Sequence, residues 1–228
     1  MRILVYMDIL TIASQKGGAG KTTLSAHLAV EAERTGRGPV AVVDTDPQGS
    51  ASQWAEARRE LDDEVAQFLC VSVRGSKVNF ELQEMAQVYK HVVVDTGGAD
   101  SSEFRASLVA ADMLLMPLRP GSFDFWTLAK MNEILALVEP VNPRLKTVLV
   151  LTQVPATAYE RARREAEEII SELPRFTLLK TLIVFRAAFG HAVTDGRIVN
   201  ELDRRDPKAC SEISLLHGEL FGRAGEAS

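Results

Sequence analysis

Short apolar runs alternate along the chain with longer stretches in which apolar residues recur every three or four positions. The runs are Ile9–Ala13, Val40–Val43, Phe68–Val73, Val92–Val94, Met113–Met116 and Val148–Leu151, with Leu178–Ile183 as a further candidate. Each is rich in Val, Ile or Leu and lacks polar alternation, which predicts strands covered on both faces. Thr22–Arg34 carries Leu24, Leu28 and Ala32 at four-residue spacing and is followed by Gly36 and Gly38, which predicts a helix and its end. Ser50–Leu61, Ser101–Ala110, Phe123–Val138 and Tyr159–Leu173 are the next predicted helices. Repeated strand–helix units predict an α/β fold: one mostly parallel, twisted sheet with helices on both faces. The 228 residues suit a single domain spanning 1–228. Ligands of such sheets bind beyond the carboxyl ends of the strands, so the candidate chemistry is sought there.

The first strand runs into Ser14-Gln15-Lys16-Gly17-Gly18-Ala19-Gly20-Lys21-Thr22-Thr23 at the opening of a helix. Glycines let backbone N–H groups curl around phosphate oxygens, and the helix N-terminus adds partial positive charge. Lys21 is placed to reach the β- and γ-phosphates, the Thr22 hydroxyl to ligate Mg²⁺, and Thr23 to lie near the α-phosphate. A helix-capping turn is the plain alternative, but strand before, helix after and Gly-Lys-Thr in register all favour a P-loop. Gln15 departs from the glycine of the ordinary pattern, and Lys16 adds a second lysine to the loop. The second strand ends in Asp44-Thr45-Asp46-Pro47-Gln48-Gly49-Ser50. Two acids two residues apart can divide Mg²⁺ coordination from orientation of the attacking water. The fourth strand closes on Asp95-Thr96-Gly97-Gly98, an acid placed to reach Mg²⁺ and glycines suited to a moving loop. Pro117-Leu118-Arg119-Pro120 and Thr152-Gln153-Val154-Pro155 end the fifth and sixth strands; each by itself reads first as a turn, and both stand at the ligand edge as candidates for an adenine pocket, with Gln153 and Pro155 foremost.

Composition narrows the picture. A hydrophobic fraction of 46% and a charged fraction of 25% are those of an ordinary globular protein. No apolar run approaches the roughly 20 residues of a membrane-spanning helix. Cys70 and Cys210 lie far apart, with neither disulfide nor metal spacing, and with no secretory signal in view they point to a reducing cytoplasm. Residues 1–7 read as an extension, disordered or spurious, because Met7 is an alternative start. The net charge of −5 excludes a chain that coats nucleic acid with its whole surface. Residues 1–140 hold 13 Lys/Arg against 19 Asp/Glu, whereas 141–228 hold 13 against 12, so basic residues gather toward the end. Arg161, Arg163 and Arg164 each have a glutamate four residues on (Glu165, Glu167, Glu168), which predicts a solvated, ion-paired helix and no DNA patch.

These motifs resemble the ParA/MinD ATPases. Lys16–Thr23 is similar to their deviant Walker A loop, Val42–Ser50 to their switch I, and Val92–Gly98 stands where they carry switch II. Ala111–Trp126, Arg186–Phe189 with Ala192 and Gly196, and Pro207–Ala209 with Glu212-Ile213 resemble the small single-domain ParA proteins in particular. The resemblance covers nearly the whole chain. It implies ATP and Mg²⁺ as cofactors, bound by Lys16, Gly17, Gly18, Ala19, Gly20, Lys21, Thr22 and Thr23. It also implies catalytic roles for Lys16, acting across an ATP-sandwich homodimer, for Lys21 in cis and for Asp46 on the attacking water. Thr22, Asp44 and Asp95 would form the metal shell. Switch II departs from the family in reading Asp-Thr-Gly-Gly where Asp-Thr-Pro-Pro is usual, and Gln153 stands where an asparagine often reads adenine.

The function implied is ATP-dependent partition of DNA or positioning of an intracellular cargo. Hydrolysis would be slow and stimulated by a ParB-like or other small partner. The ATP-bound dimer would bind double-stranded DNA without sequence preference, with Lys180, Arg186, Arg197, Arg204, Arg205 and Lys208 as candidate contacts. Only 15 residues precede Lys16, too few for an N-terminal helix-turn-helix domain, so operator reading by this chain is not expected. Two alternatives share the motifs: an accessory ATPase of conjugative or T-DNA-type transfer, and a MinD-like membrane switch. The membrane switch needs an amphipathic helix with a basic rim. Ser211–Phe221 carries Glu212 and Glu219 and no Lys or Arg, and reads as a docking helix.

Overall fold

The computed structural model describes residues 7–15, 17–61, 65–98, 100–121 and 125–222. Seven strands form one parallel sheet: β1 (Ile9–Ile12), β2 (Val40–Asp44), β3 (Leu69–Ser72), β4 (His91–Asp95), β5 (Met113–Leu118), β6 (Lys146–Val154) and β7 (Phe176–Val184). Their spatial order is β3-β2-β4-β1-β5-β6-β7. Among the described residues eight α-helices connect or follow them: α1 (Lys21–Arg34), α2 (Ser50–Arg59), α3 (Val78–Val88), α4 (Ser102–Ala110), α5 (Phe125–Val138), α6 (Tyr159–Ser171), α7 (Ala187–Thr194) and α8 (Pro207–Phe221). The chain places β2 to β4 on one side of β1 and β5 to β7 on the other. The crevice where this direction reverses opens at the carboxyl end of β1.

The central strands are apolar because helices cover both faces. Every residue of β1, β2, β4 and β5 is buried. On one face Leu24, Leu28 and Ala32 of α1 pack with Ile213, Leu216 and Leu220 of α8. On the other, Phe104 and Leu108 of α4, Leu128 and Leu135 of α5 and Ala162 and Ala166 of α6 form a second layer. Truncating a fully buried leucine such as Leu28 to alanine would cost about 2–5 kcal/mol. Met7, placed by sequence in an N-terminal extension, is buried in the first layer, and its carbonyl lies 2.6 Å from His91 Nδ1.

Two strands differ from expectation. β3 is an edge strand that is not covered on both faces, with Leu69 and Ser72 exposed. β7 is the other edge, and its register with β6 shifts twice, between Leu149 and Leu151 and again before Val154. The helices α3 and α7 do not stand out in the sequence. In α3 only Val78 and Leu82 are buried, too few to register as a periodic stripe, and α7 has only eight residues. α6 carries the expected ion pairs, Arg161–Glu165 at 3.6 Å and Arg163–Glu167 at 3.0 Å. α8 starts at Pro207 with Asp206 as its cap, accepting from Lys208 N (2.9 Å) and Ala209 N (3.2 Å). Its apolar face is spent on the core. Among the described residues no helix is long and apolar enough to cross a membrane. Both cysteines are free, and burial pushes the Cys70 thiol up to about 12, which leaves it unreactive.

Candidate functional site

The P-loop joins the buried end of β1 to α1. Gly18 and Gly20 take left-handed backbone, with φ of 72° and 93°, conformations that cost an L side chain energy and glycine nothing. Gly20 caps α1 and, having no side chain, supplies no side-chain acceptor to the first N–H groups of the helix. This start of the helix borders a cavity of about 990 Å³ lined by Gly17, Gly18, Lys21, Thr22, Thr23, Asp46 and Gly97, among others.

Asp44 and Asp95 end neighbouring strands directly opposite one another, and both are fully buried. Asp95 accepts from Thr22 Oγ1 at 2.7 Å and from Ser25 Oγ at 2.9 Å. Burial pushes its carboxyl up to about 7, despite the two hydroxyl donors that pull the other way. Asp44, expected in the Mg²⁺ shell, has one oxygen engaged by its own loop and the other by the first turn of α2. Oδ1 accepts from Asp46 N at 3.0 Å, and Oδ2 accepts from Ser52 N at 2.9 Å and Ser52 Oγ at 2.8 Å. It is the side-chain brace of the turn that carries Asp46, while Thr22 and Asp95 are the pair with the geometry of a metal-binding hydroxyl and its carboxylate.

Asp46 is half-buried and faces the cavity, with Oδ1 accepting from Gln48 N at 2.9 Å. The two glycines of the Asp95–Gly98 segment, where the sequence departs from the usual switch II, lie beside Asp46 and Lys21. A β-carbon on Gly97 would stand 3.6 Å from Asp46 Oδ1, and one on Gly98 would stand 3.8 Å from Lys21 Nζ. The bare backbone therefore runs close beside both functional side chains. Lys16 lies outside the described residues, as do Phe123 and Asp124.

The end of β6 supports the P-loop from the other side. Thr152 Oγ1 donates to Ala19 O at 2.9 Å, and Gln153 Nε2 donates to Gly18 O at 2.5 Å. Gln153 takes φ of 53° at the second register shift, which turns its side chain toward the loop. A smaller, largely apolar cavity of about 260 Å³ adjoins it, lined by Gly20, Thr23, Leu24, Thr152, Gln153, Phe185 and Phe189, among others. Pro155, expected beside the base, is exposed at the cap of the turn Ala156–Ala158 and is not part of the lining of this cavity. Arg119 approaches the P-loop, its Nη1 3.9 Å from a β-carbon on Gly18.

The far wall of the main cavity has no sequence signature. Gln53, Trp54 and Ala57 of α2 face Val193 and Thr194 of α7. Buried Arg58 pins the two helices' surroundings together: it donates to both carboxylate oxygens of Glu201 at 2.8 Å and to Gly196 O at 3.1 Å. Trp54 could be found only as an aromatic on the helix after switch I.

The candidate DNA residues separate. Arg186, a leading candidate, is ion-paired with Glu212 at 2.8 Å and Asp206 at 3.6 Å, is only 19% exposed, and lines the smaller cavity. Arg197, the other, is half-buried, and its Nη1 donates to Glu201 O at 3.4 Å. Both are engaged within the fold because they border the buried Arg58–Glu201 and α8 contacts. Lys180, Arg204, Arg205 and Lys208 are exposed.

Comparison with known proteins agrees with this geometry. A profile of the CobQ/CobB/MinD/ParA nucleotide binding domain matches residues 10–199. The chain is 30% identical over 214 residues to the maintenance of carboxysome distribution protein A of Halothiobacillus neapolitanus, covering 93% of this chain and 95% of that protein. It is 29% identical over 149 residues to a protein ParA of Rhizobium radiobacter, covering 65% of each. The ATP complex of a Cyanothece McdA variant shares the fold, with a TM-score of 0.73 at 16% identity, over 95% of this chain and 97% of that one.

Proposed function

This chain belongs to the CobQ/CobB/MinD/ParA nucleotide-binding family, and from that premise we propose that it is an ATP-dependent switch that partitions DNA or positions an intracellular cargo. The observation that carries the reading is one cavity in which Lys21, the Thr22–Asp95 pair and Asp46 converge on the end of α1. The residues present fit a Mg²⁺–nucleotide: left-handed glycines leave room for phosphates, the start of α1 borders the same cavity with no side-chain cap from Gly20, and a buried carboxylate stands behind the Thr22 hydroxyl.

Thr22 and Asp95 would hold Mg²⁺, which when bound neutralises charge on the β- and γ-phosphate oxygens. Lys21 places its ammonium on the same oxygens, and a charge-assisted contact of this kind is worth about 1.5–3 kcal/mol. Asp46 accepts a hydrogen bond from water and aligns it with the γ-phosphate. Lys16 acts across the interface of an ATP-bound homodimer, so hydrolysis and release of the γ-phosphate loosen the dimer. The smaller apolar cavity takes the adenine, where Gln153 can exchange its Gly18 contact for the base. A stimulating partner sets the rate.

In the ATP state the dimer binds double-stranded DNA through phosphate contacts. The exposed Arg204, Arg205 and Lys208, with Lys180, are the proposed contacts. Dimerisation doubles this patch on one rigid body, which raises avidity, and affinity falls steeply with salt. The similarity to a carboxysome-distribution protein favours cargo positioning over DNA partition. Light scattering with ADP and with a non-hydrolysable ATP analogue, followed by titration with random-sequence duplex, tests the reading. A mass doubling with ATP alone and DNA binding of that dimer are expected. Equal mass under both nucleotides would overturn the switch, and a dimer that ignores DNA at micromolar protein would remove DNA binding from it.

A further inference from the structure

Asp46 sits on a turn whose side-chain braces are internal, yet its backbone is held from outside by a residue with no place in the motifs. Arg74 follows the edge strand β3. Its guanidinium donates through Nη1 to the carbonyl of Asp44 and through Nη2 to the carbonyl of Asp46 at 2.6 Å, and it lies 3.9 Å from Asp44 Oδ1. The two carbonyls belong to the peptide planes on either side of the segment that carries Asp46. A planar fork of donors suits two such acceptors, and a lysine cannot hold both in one geometry.

The arginine is itself anchored. Val73 N donates to Asp44 O at 3.1 Å, and Gly75 N donates to Glu103 Oε1 at 2.9 Å, which ties the loop to α4 beyond Asp95. Arg74 is not among the residues lining the nucleotide cavity. We propose that Arg74 is a positioning residue for hydrolysis, which fixes the backbone of the Asp46 turn and thereby the aim of its carboxylate. The inference rests on the reading that Asp46 orients the attacking water.

The test compares the wild-type chain with Arg74→Ala and Arg74→Lys, measuring single-turnover hydrolysis with protein in excess, affinity for a fluorescent ATP analogue, and melting temperature. A misplacement of about 1 Å can cost roughly 10²-fold in rate, so the alanine variant should lose about 10- to 100-fold in kcat. Its nucleotide affinity should stay within about twofold, since no phosphate contact is removed. The lysine variant keeps the charge and one donor and should recover part of the loss. Unchanged kcat in Arg74→Ala, beside an active wild type, overturns the assignment of Arg74 alone. Loss of affinity and melting temperature in step with kcat overturns it in favour of a purely structural contact. A wild type that binds ATP but never hydrolyses it overturns the functional reading itself.

Discussion

The ends of β2 and β4 present the same residue in the same place to opposite effect. Asp44 and Asp95 are register partners on adjacent parallel strands, and neither has any exposed surface. Asp44 is saturated by its own segment through Asp46 N, Ser52 N and Ser52 Oγ. Among the described residues, Asp95 accepts from hydroxyls of α1, those of Thr22 and Ser25. Backbone amides are fixed donors, and they spend a carboxylate on structure. Hydroxyls rotate, and one of them can release its hydrogen bond to ligate a cation while the carboxylate stays in place behind it. A buried acid at a strand end is therefore a brace or a metal-site acid according to what it touches, and burial alone does not distinguish the two.

The sharpest way to break this comparison is to remove each charge in turn. Asp95→Asn should lower Mg²⁺-dependent nucleotide affinity by about 100-fold or more while leaving the fold stable, because an amide keeps the shape but not the charge. Calorimetry with and without Mg²⁺ checks it, and an unchanged Mg²⁺ dependence would show that Asp95 is a second brace. Asp44→Asn should do the reverse. One oxygen becomes an NH₂ facing donors, so stability in urea should fall by about 2–3 kcal/mol, with Mg²⁺ dependence changed less than about tenfold.

A third buried titratable group extends the comparison to α1. His27 resembles Asp44 in being engaged on both sides: Nδ1 lies 2.7 Å from Thr23 O, and Nε2 accepts from Val199 N at 3.1 Å. Burial lowers its pKa from 6.5 to about 4. Its neutral form supports the fold fully above pH 6.5. As pH falls from there toward 4 the unfolded chain takes a proton that the folded chain refuses, and stability is lost at about 1.4 kcal/mol per pH unit from this group. His27→Gln should flatten the pH dependence of denaturation by that slope over that window. A curve parallel to wild type would place His27 outside the linkage. The smallest expected effect is Ser52→Ala, which removes one of three donors to Asp44 and should cost about 1 kcal/mol in chemical denaturation. No measurable cost would mean that the two backbone donors suffice.

Much of this was legible in the chain. The apolar runs marked the strands, and in β1, β2, β4 and β5 they do so because strands covered on both faces need no polar alternation. The P-loop was legible because its chemistry is local: glycines, a lysine and a threonine act within one turn of backbone. Asp44 and Asp95 stood out for the same reason, each closing an apolar strand, and Asp46 follows two residues after the first of them. α3 was not legible, since two buried residues make no stripe, and neither was the edge position of β3, which depends on what lies beside it.

By itself, then, the sequence determined the sheet, the phosphate loop and the acids at the strand ends, all set by interactions among residues near one another in the chain. Only the tertiary structure decided what each acid and arginine touches. Asp95 meets Ser25 across 70 positions, Arg58 meets Glu201 across 143, and Arg186 is taken up by Glu212 and Asp206. Composition and spacing give a side chain's charge and its place on a strand or helix. Whether that charge is saturated depends on partners brought from distant elements by packing, and packing is fixed by the whole core at once.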